Sequence, residues 1–110
     1  DIEAIIARIA DLMIPFRNKD YYVKAMCGSH SIKYVLPALV PDLRYDTLAI
    51  ADGEMAMLAY AGLAKIDDAE EKEKIRQGLL EYCRLDTLGM VRIWEKLMSI
   101  TQPREQLRLF

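Results

Sequence analysis

Apolar residues recur at helical spacing in the C-terminal half of the chain, across residues 79–97. Placed at 100° per residue, one face collects Ile75, Leu79, Tyr82, Cys83, Met90, Ile93, Trp94 and Leu97. This spacing is typical of an amphipathic helix packed on a core. Asp86 falls in the middle of the face, and Tyr82 precedes it by one turn, so the phenol and the carboxylate can face the same point.

Two shorter apolar patterns come before this helix. Isoleucines and leucines at i, i+3, i+4 and i+7 over residues 2–13 predict a first helix, N-capped by Asp1 and ended by Pro15. A turn at residues 28–31 then leads into a helix N-capped by one of its serines. Its length is limited by Pro37 and Pro41.

A loop at residues 41–51, with Tyr45 and Leu48 pointing inward, is followed by a helix over residues 54–63. Asp52 is placed to cap that helix. Its methionines, leucines and alanines leave little polar surface, so we predict that it is central and buried.

The last helix should begin with Asp67 as N-cap and Glu70 three residues later, in a capping-box-like arrangement. We expect it to end near Ile100, with a possible break near Gly78 or between Cys83 and Gly89. Residues 21–23 could form one short strand. The predicted fold is therefore mainly α, with four or five helices and at most a short strand or hairpin, in a single domain or domain fragment spanning residues 1–110.

Composition and charge argue against several classes of function and site. A net charge of −2 argues against a duplex binder that relies on a basic surface. The two cysteines are too far apart for a metal-binding pair or a disulfide framework. His30 is the only histidine, which excludes a zinc site built from histidines within this chain. No apolar run approaches the ~20 residues that cross a membrane, so we expect a cytoplasmic protein.

A carboxylate on an apolar helix face needs a compensating cation or several hydrogen-bond donors. Arg84 and Arg92 project to other sides of the predicted helix and are no certain partners for Asp86. A divalent ion such as Mg²⁺, which prefers carboxylate oxygens, would provide that compensation.

The segment Tyr82-Cys83-Arg84-Leu85-Asp86 resembles the third motif, Tyr-x-x-x-Asp, of the DnaQ-like 3′–5′ exonucleases, in the branch that carries tyrosine in this motif. The resemblance implies a ribonuclease H-like α/β fold, of which this chain would be the helical C-terminal portion. It further implies Asp86 as a ligand of Mg²⁺ or Mn²⁺, Tyr82 as the group that orients the attacking water, and nucleic acid as the substrate.

Residues 28–37 are similar to the Ser-Leu-Lys helix start that precedes this motif in many such nucleases. A helix N-terminus beside Lys33 and His30 could receive a nucleic-acid phosphate, although a capped turn with a solvated lysine is the more common meaning of such a pattern. Both stretches together resemble an uncharacterised bacterial domain family of the same superfamily.

The acidic first and second motifs of these nucleases are not identifiable here; Asp11 and Asp20 are candidates only in being aspartates. We therefore expect a nuclease fragment that is inactive alone and whose partner is the missing N-terminal half of the domain. The alternative is a non-catalytic helical module for protein contacts or oligomerisation, for instance as a homodimer. A nucleic-acid binder without hydrolysis is disfavoured by the absence of a basic recognition helix.

Overall fold

A computed structural model describes residues 1–101, and within that range the chain is helical and contains no strand. This confirms the mainly α class. The α-helices are α1 (Ile2–Ile6), α2 (Ile14–Arg17), α3 (Ile32–Leu39), α4 (Gly53–Gly62) and α5 (Ala69–Thr101), with 3₁₀ turns at Lys24–Met26 and Leu63–Lys65. No helix among these residues combines the length and the apolar character needed to cross a membrane.

Helix α1 is shorter than its apolar pattern predicts. Asp1 caps it as expected, since its Oδ1 accepts a hydrogen bond from the backbone N–H of Glu3 at 3.1 Å. The helix ends at Ile6, however, and contains no buried residue. Without a packed face, a five-residue helix has little to extend it. Pro15 does not end this helix but lies in the first turn of α2, where its missing N–H costs nothing.

A tight turn leads the chain into α3. Cys27 and Gly28 both have positive φ angles, of 56° and 77°, which reverse the chain direction just before the helix. Ser31 is the N-cap residue but makes no side-chain cap bond, while Ser29 Oγ accepts the backbone N–H of Ser31 at 3.1 Å. Pro37 lies inside α3 instead of limiting it, and the helix ends two residues later.

Helix α4 is on the surface, so the prediction of a central buried helix is wrong. Its N-cap is as predicted: Asp52 Oδ1 accepts the Met55 N–H at 2.9 Å. None of its residues is buried, and Met57 and Tyr60 are 75% and 73% exposed. An apolar composition allows a helix to pack in a core, but it does not determine whether other elements of the chain pack around that helix.

Helix α5 is unbroken over 33 residues, so neither predicted break occurs. Its first turn is capped by Asp68 rather than Asp67, because Asp68 Oδ1 accepts the Glu70 N–H at 3.1 Å. The residues it turns inward are Ile75, Gly78, Leu79, Tyr82, Leu85, Asp86, Gly89, Ile93 and Leu97, which are buried or partly buried. Cys83, Met90 and Trp94, assigned to this face from the sequence, are exposed instead.

The core lies where α3, the 3₁₀ turn at Lys24–Met26 and the loop after α3 pack on the inner face of α5. Its buried members are Phe16, Met26, Val35, Leu36, Leu39, Val40, Tyr45, Leu85 and Ile93. Gly89 allows α3 to approach closely, because a Cβ there would lie only 3.0 Å from Leu36 Cδ2. At Gly78 a Cβ would lie 3.4 Å from Ile50 Cδ1.

Candidate functional site

Asp86 and Tyr82 lie together on the inner face of α5, as their spacing predicts, and a third polar residue joins them. The hydroxyl of Tyr45, from the loop between α3 and α4, donates a hydrogen bond to Asp86 Oδ1. The rings of Tyr45 and Tyr82 pack at a tilt of 56°, with their centroids 5.8 Å apart. Asp86 and Tyr82 are half-buried, whereas Tyr45 is buried.

The loop after α3 places Tyr45 inward, which confirms the predicted anchor. A turn is closed by the Leu48 N–H, which donates to the Tyr45 carbonyl at 3.0 Å. On the solvent side, Arg44 Nη2 pairs with Asp46 Oδ2 at 2.7 Å. The residues on either side of Tyr45 therefore face water while its ring enters the core, so its hydroxyl can reach Asp86.

Both phenols are held in their neutral form. Burial raises the pKa of Tyr45, and the hydrogen bond to Asp86 and the negative charge of that carboxylate raise it further. Burial also raises the pKa of Tyr82, with smaller contributions from the charges of Asp86 and Asp52. A phenol that stays protonated is a hydrogen-bond donor, so the site presents two O–H groups beside one carboxylate.

The N-terminus of α4 closes the site on the side of Tyr82. A Cβ on Gly53 would lie 3.5 Å from the Tyr82 hydroxyl oxygen, so the phenol rests against the backbone of the first turn. Asp52 caps the same turn and is close enough to raise the pKa of Tyr82. Two carboxylates, from Asp52 and Asp86, therefore act on one phenol.

Asp86 has no basic partner in the described part of the chain, where no lysine or arginine forms an ion pair with it. Arg92 is directed to Glu95, at 3.8 Å. A divalent ion prefers several oxygen ligands, yet residues 1–101 contain no group of three or more His, Cys, Asp or Glu side chains that could hold a metal. The residues present do not form a complete metal site.

The remaining predicted site residues lie elsewhere. His30 and Lys33 are exposed near the start of α3. His30 lines an apolar cavity of about 480 Å³ together with Phe16, Ile32 and Met90, and neither Tyr82 nor Asp86 reaches that cavity. Asp11 is exposed, and its Oδ1 accepts the backbone N–H of Met13 at 2.9 Å in a local turn. Tyr82 and Asp86 therefore lie together in the structure, whereas His30 and Lys33, the proposed phosphate-binding residues, lie apart from them.

Sequence reasoning missed the contribution of Tyr45 and Asp52 to this site. Both were assigned local roles, Tyr45 as a loop anchor and Asp52 as a helix cap. Tyr45 is 41 residues from Asp86 along the chain, a separation that helical periodicity cannot bridge. The sequence feature that could have indicated a role for Tyr45 is its hydroxyl group, because a tyrosine directed inward needs a hydrogen-bond partner.

No protein-family model matches the chain, and comparisons with curated proteins and with solved structures likewise gave no match.

Proposed function

We propose that this chain is the helical C-terminal portion of a metal-dependent 3′–5′ exonuclease-like nuclease. Asp86 is then one ligand of a Mg²⁺ or Mn²⁺ ion, and Tyr82 orients the attacking water. The observation that carries the proposal is the placement of Asp86, half-buried on the core face of α5 without a basic partner in residues 1–101. A carboxylate in that position is costly unless a cation or several hydrogen-bond donors compensate it, and only one of its oxygens accepts the Tyr45 hydrogen bond.

Two further features support the proposal. Tyr82 lies one turn before Asp86 on the same face of α5, and its phenol O–H can donate to a water oxygen. The further carboxylates of the metal site would come from outside residues 1–101, because the described residues do not supply them. Nucleic acid is the proposed substrate, and this part of the proposal rests on the Tyr-x-x-x-Asp resemblance alone. The proposed location is the cytoplasm.

The test is Mg²⁺- or Mn²⁺-dependent release of nucleotides from single-stranded DNA and RNA by the longest protein that contains this chain. Asp86→Asn is the informative variant, because its Oδ1 still accepts the Tyr45 hydrogen bond while the ligand charge is lost. We expect it to remain folded and to lose activity. Tyr82→Phe removes only the hydroxyl and should cost about 10²-fold.

Asp46→Asn is the matched control, since Asp46 is an exposed carboxylate paired with Arg44. It should retain full activity. If Asp86→Asn retains full activity in an active protein, Asp86 is not a metal ligand and the assignment fails.

A second candidate is the non-catalytic helical module for protein contacts or oligomerisation. The hydrogen bond from Tyr45 favours it, because that bond satisfies one Asp86 oxygen without any ion. The exposed apolar side chains of α4 and α5 also favour it. Absence of nuclease activity with either metal ion, in a protein that self-associates, would select this candidate.

A further inference from the structure

Helix α5 has a second apolar face, centred about 120° around the helix from its core face. At 100° per residue, one uncharged stripe runs along its exposed side and contains Leu80, Cys83, Thr87, Met90, Val91, Trp94, Met98 and Thr101. We call these residues the outer stripe. They span 22 residues of continuous helix, a length of about 32 Å. The exposed face of a solvated helix is normally charged, so an uncharged apolar stripe indicates a surface that packs against another protein surface.

The large side chains of the outer stripe are open to solvent. Trp94 is 53% exposed, and Leu80, Met90, Val91 and Met98 are each between 40% and 49% exposed. These five side chains alone expose roughly 450–500 Å², given the size of large apolar and aromatic side chains. Two copies of the stripe would therefore bury close to the ~1,000 Å² in total that a specific protein interface needs.

We propose that the outer stripe is the contact face of a homodimer in which two α5 helices pair antiparallel. This inference deepens the second candidate function by naming its surface and partner, and it does not require nuclease activity. A second copy is the occupant because the stripe carries no charge that would repel itself, and a two-fold axis brings the same patch of each subunit together.

The antiparallel register follows from the order of residues along the stripe. With the two-fold axis crossing the outer stripe at the height of residue 89, Leu80 faces the partner's Met98 and Thr87 faces the partner's Val91. Arg84, at the edge of the stripe, then lies over the partner's Trp94 and beside the partner's Glu95. A guanidinium on an indole face is favourable, as is its pairing with a carboxylate. A parallel pair would instead place the two copies of Arg84 on opposite flanks of the contact, away from the partner's Glu95.

Sedimentation equilibrium of the chain from ~1 to ~100 μM tests the proposal. We expect a mass approaching twice 12.6 kDa as concentration rises. Trp94 is the only tryptophan, so its emission should shift to the blue over the same concentration range without interference from another indole. A chain that stays monomeric throughout overturns the proposal.

Val91→Lys places a charge in the centre of the stripe and should weaken association at least tenfold. Met57→Lys is the matched control, because Met57 is 75% exposed on α4 and lies outside the stripe; this variant should dimerise like the wild type. Both changes are at exposed positions, and far-UV circular dichroism checks that each variant is folded. Loss of the dimer in Met57→Lys but not in Val91→Lys would assign the contact to α4 and refute the antiparallel α5 pair.

Arg84→Glu tests the register. It should weaken the dimer, because it removes the cation from the partner's Trp94 and adds a charge that repels the partner's Glu95. In a parallel pair the two copies of residue 84 lie on opposite flanks of the contact, so the same change would leave the affinity of the dimer close to that of the wild type. An unchanged or tighter dimer in Arg84→Glu overturns the antiparallel register.

Discussion

Two glycines on the inner face of α5 should respond oppositely to the same substitution. Replacing a helical glycine with alanine favours folding by about 1 kcal/mol, because alanine loses less backbone entropy. At Gly78 the new methyl group would lie 3.4 Å from Ile50 Cδ1, an ordinary van der Waals contact. Gly78→Ala should therefore raise the free energy of unfolding by about 1 kcal/mol.

At Gly89 the same methyl group would lie 3.0 Å from Leu36 Cδ2 and 3.6 Å from Ile32 Cδ1. Leu36 is fully buried, so its side chain cannot move aside without displacing its neighbours. Overpacking of this kind costs about 1–3 kcal/mol, which meets or exceeds the gain in helix propensity. We expect Gly89→Ala to be neutral or destabilising, by up to about 2 kcal/mol.

Urea unfolding followed by circular dichroism measures both variants, with an unchanged m-value as the check for comparable unfolded states. A double-mutant cycle isolates the contact, because Leu36→Val removes the Cδ atom that the new methyl group meets. Gly89→Ala should be tolerated better in the Leu36→Val background than in the wild type. If Gly89→Ala stabilises the protein as much as Gly78→Ala does, the close approach of α3 to α5 is wrong.

Three further outcomes follow from the site. Tyr45→Phe should lower the free energy of unfolding by about 1–2 kcal/mol in urea, because the hydrogen bond to the Asp86 carboxylate is lost; an unchanged value would show that this bond adds no net stability. Above pH ~10 the unfolded chain releases its tyrosine protons, while Tyr45 and Tyr82 retain theirs because their folded-state pKa values are raised. The contribution of the two tyrosines to the free energy of unfolding should be fully present below pH ~10 and decline above it. In thermal unfolding scans across pH, Tyr45→Phe should make that decline shallower. Asp52→Ala removes the cap of α4 and should cost about 1 kcal/mol in the same urea assay, whereas equal stability would mean that water replaces the cap.

Local features such as helix caps were predictable from the sequence, because a single residue determines each of them. Asp1 and Asp52 cap the helices that follow them, as their side chains and positions suggest. Tyr45 turns inward as the single aromatic ring of the loop at residues 41–51. Helix lengths were harder to predict. The apolar pattern after Asp1 continues to Met13, but α1 ends at Ile6, since none of its residues is buried by the rest of residues 1–101 and little packing stabilises a longer helix.

The face of α5 shows why the rest of the site was not predictable from hydropathy. Helical periodicity ranks positions by apolar character, so it credited Cys83, Met90 and Trp94 to the core and passed over Gly78 and Gly89. At Gly89 the absence of a side chain decides instead, because it allows α3 to approach α5 closely. The core face therefore includes both glycines together with Tyr82 and Asp86, whereas Cys83, Met90 and Trp94 belong to the separate outer stripe. Helix α5 therefore carries two apolar faces, and the other elements within residues 1–101 cover only one of them.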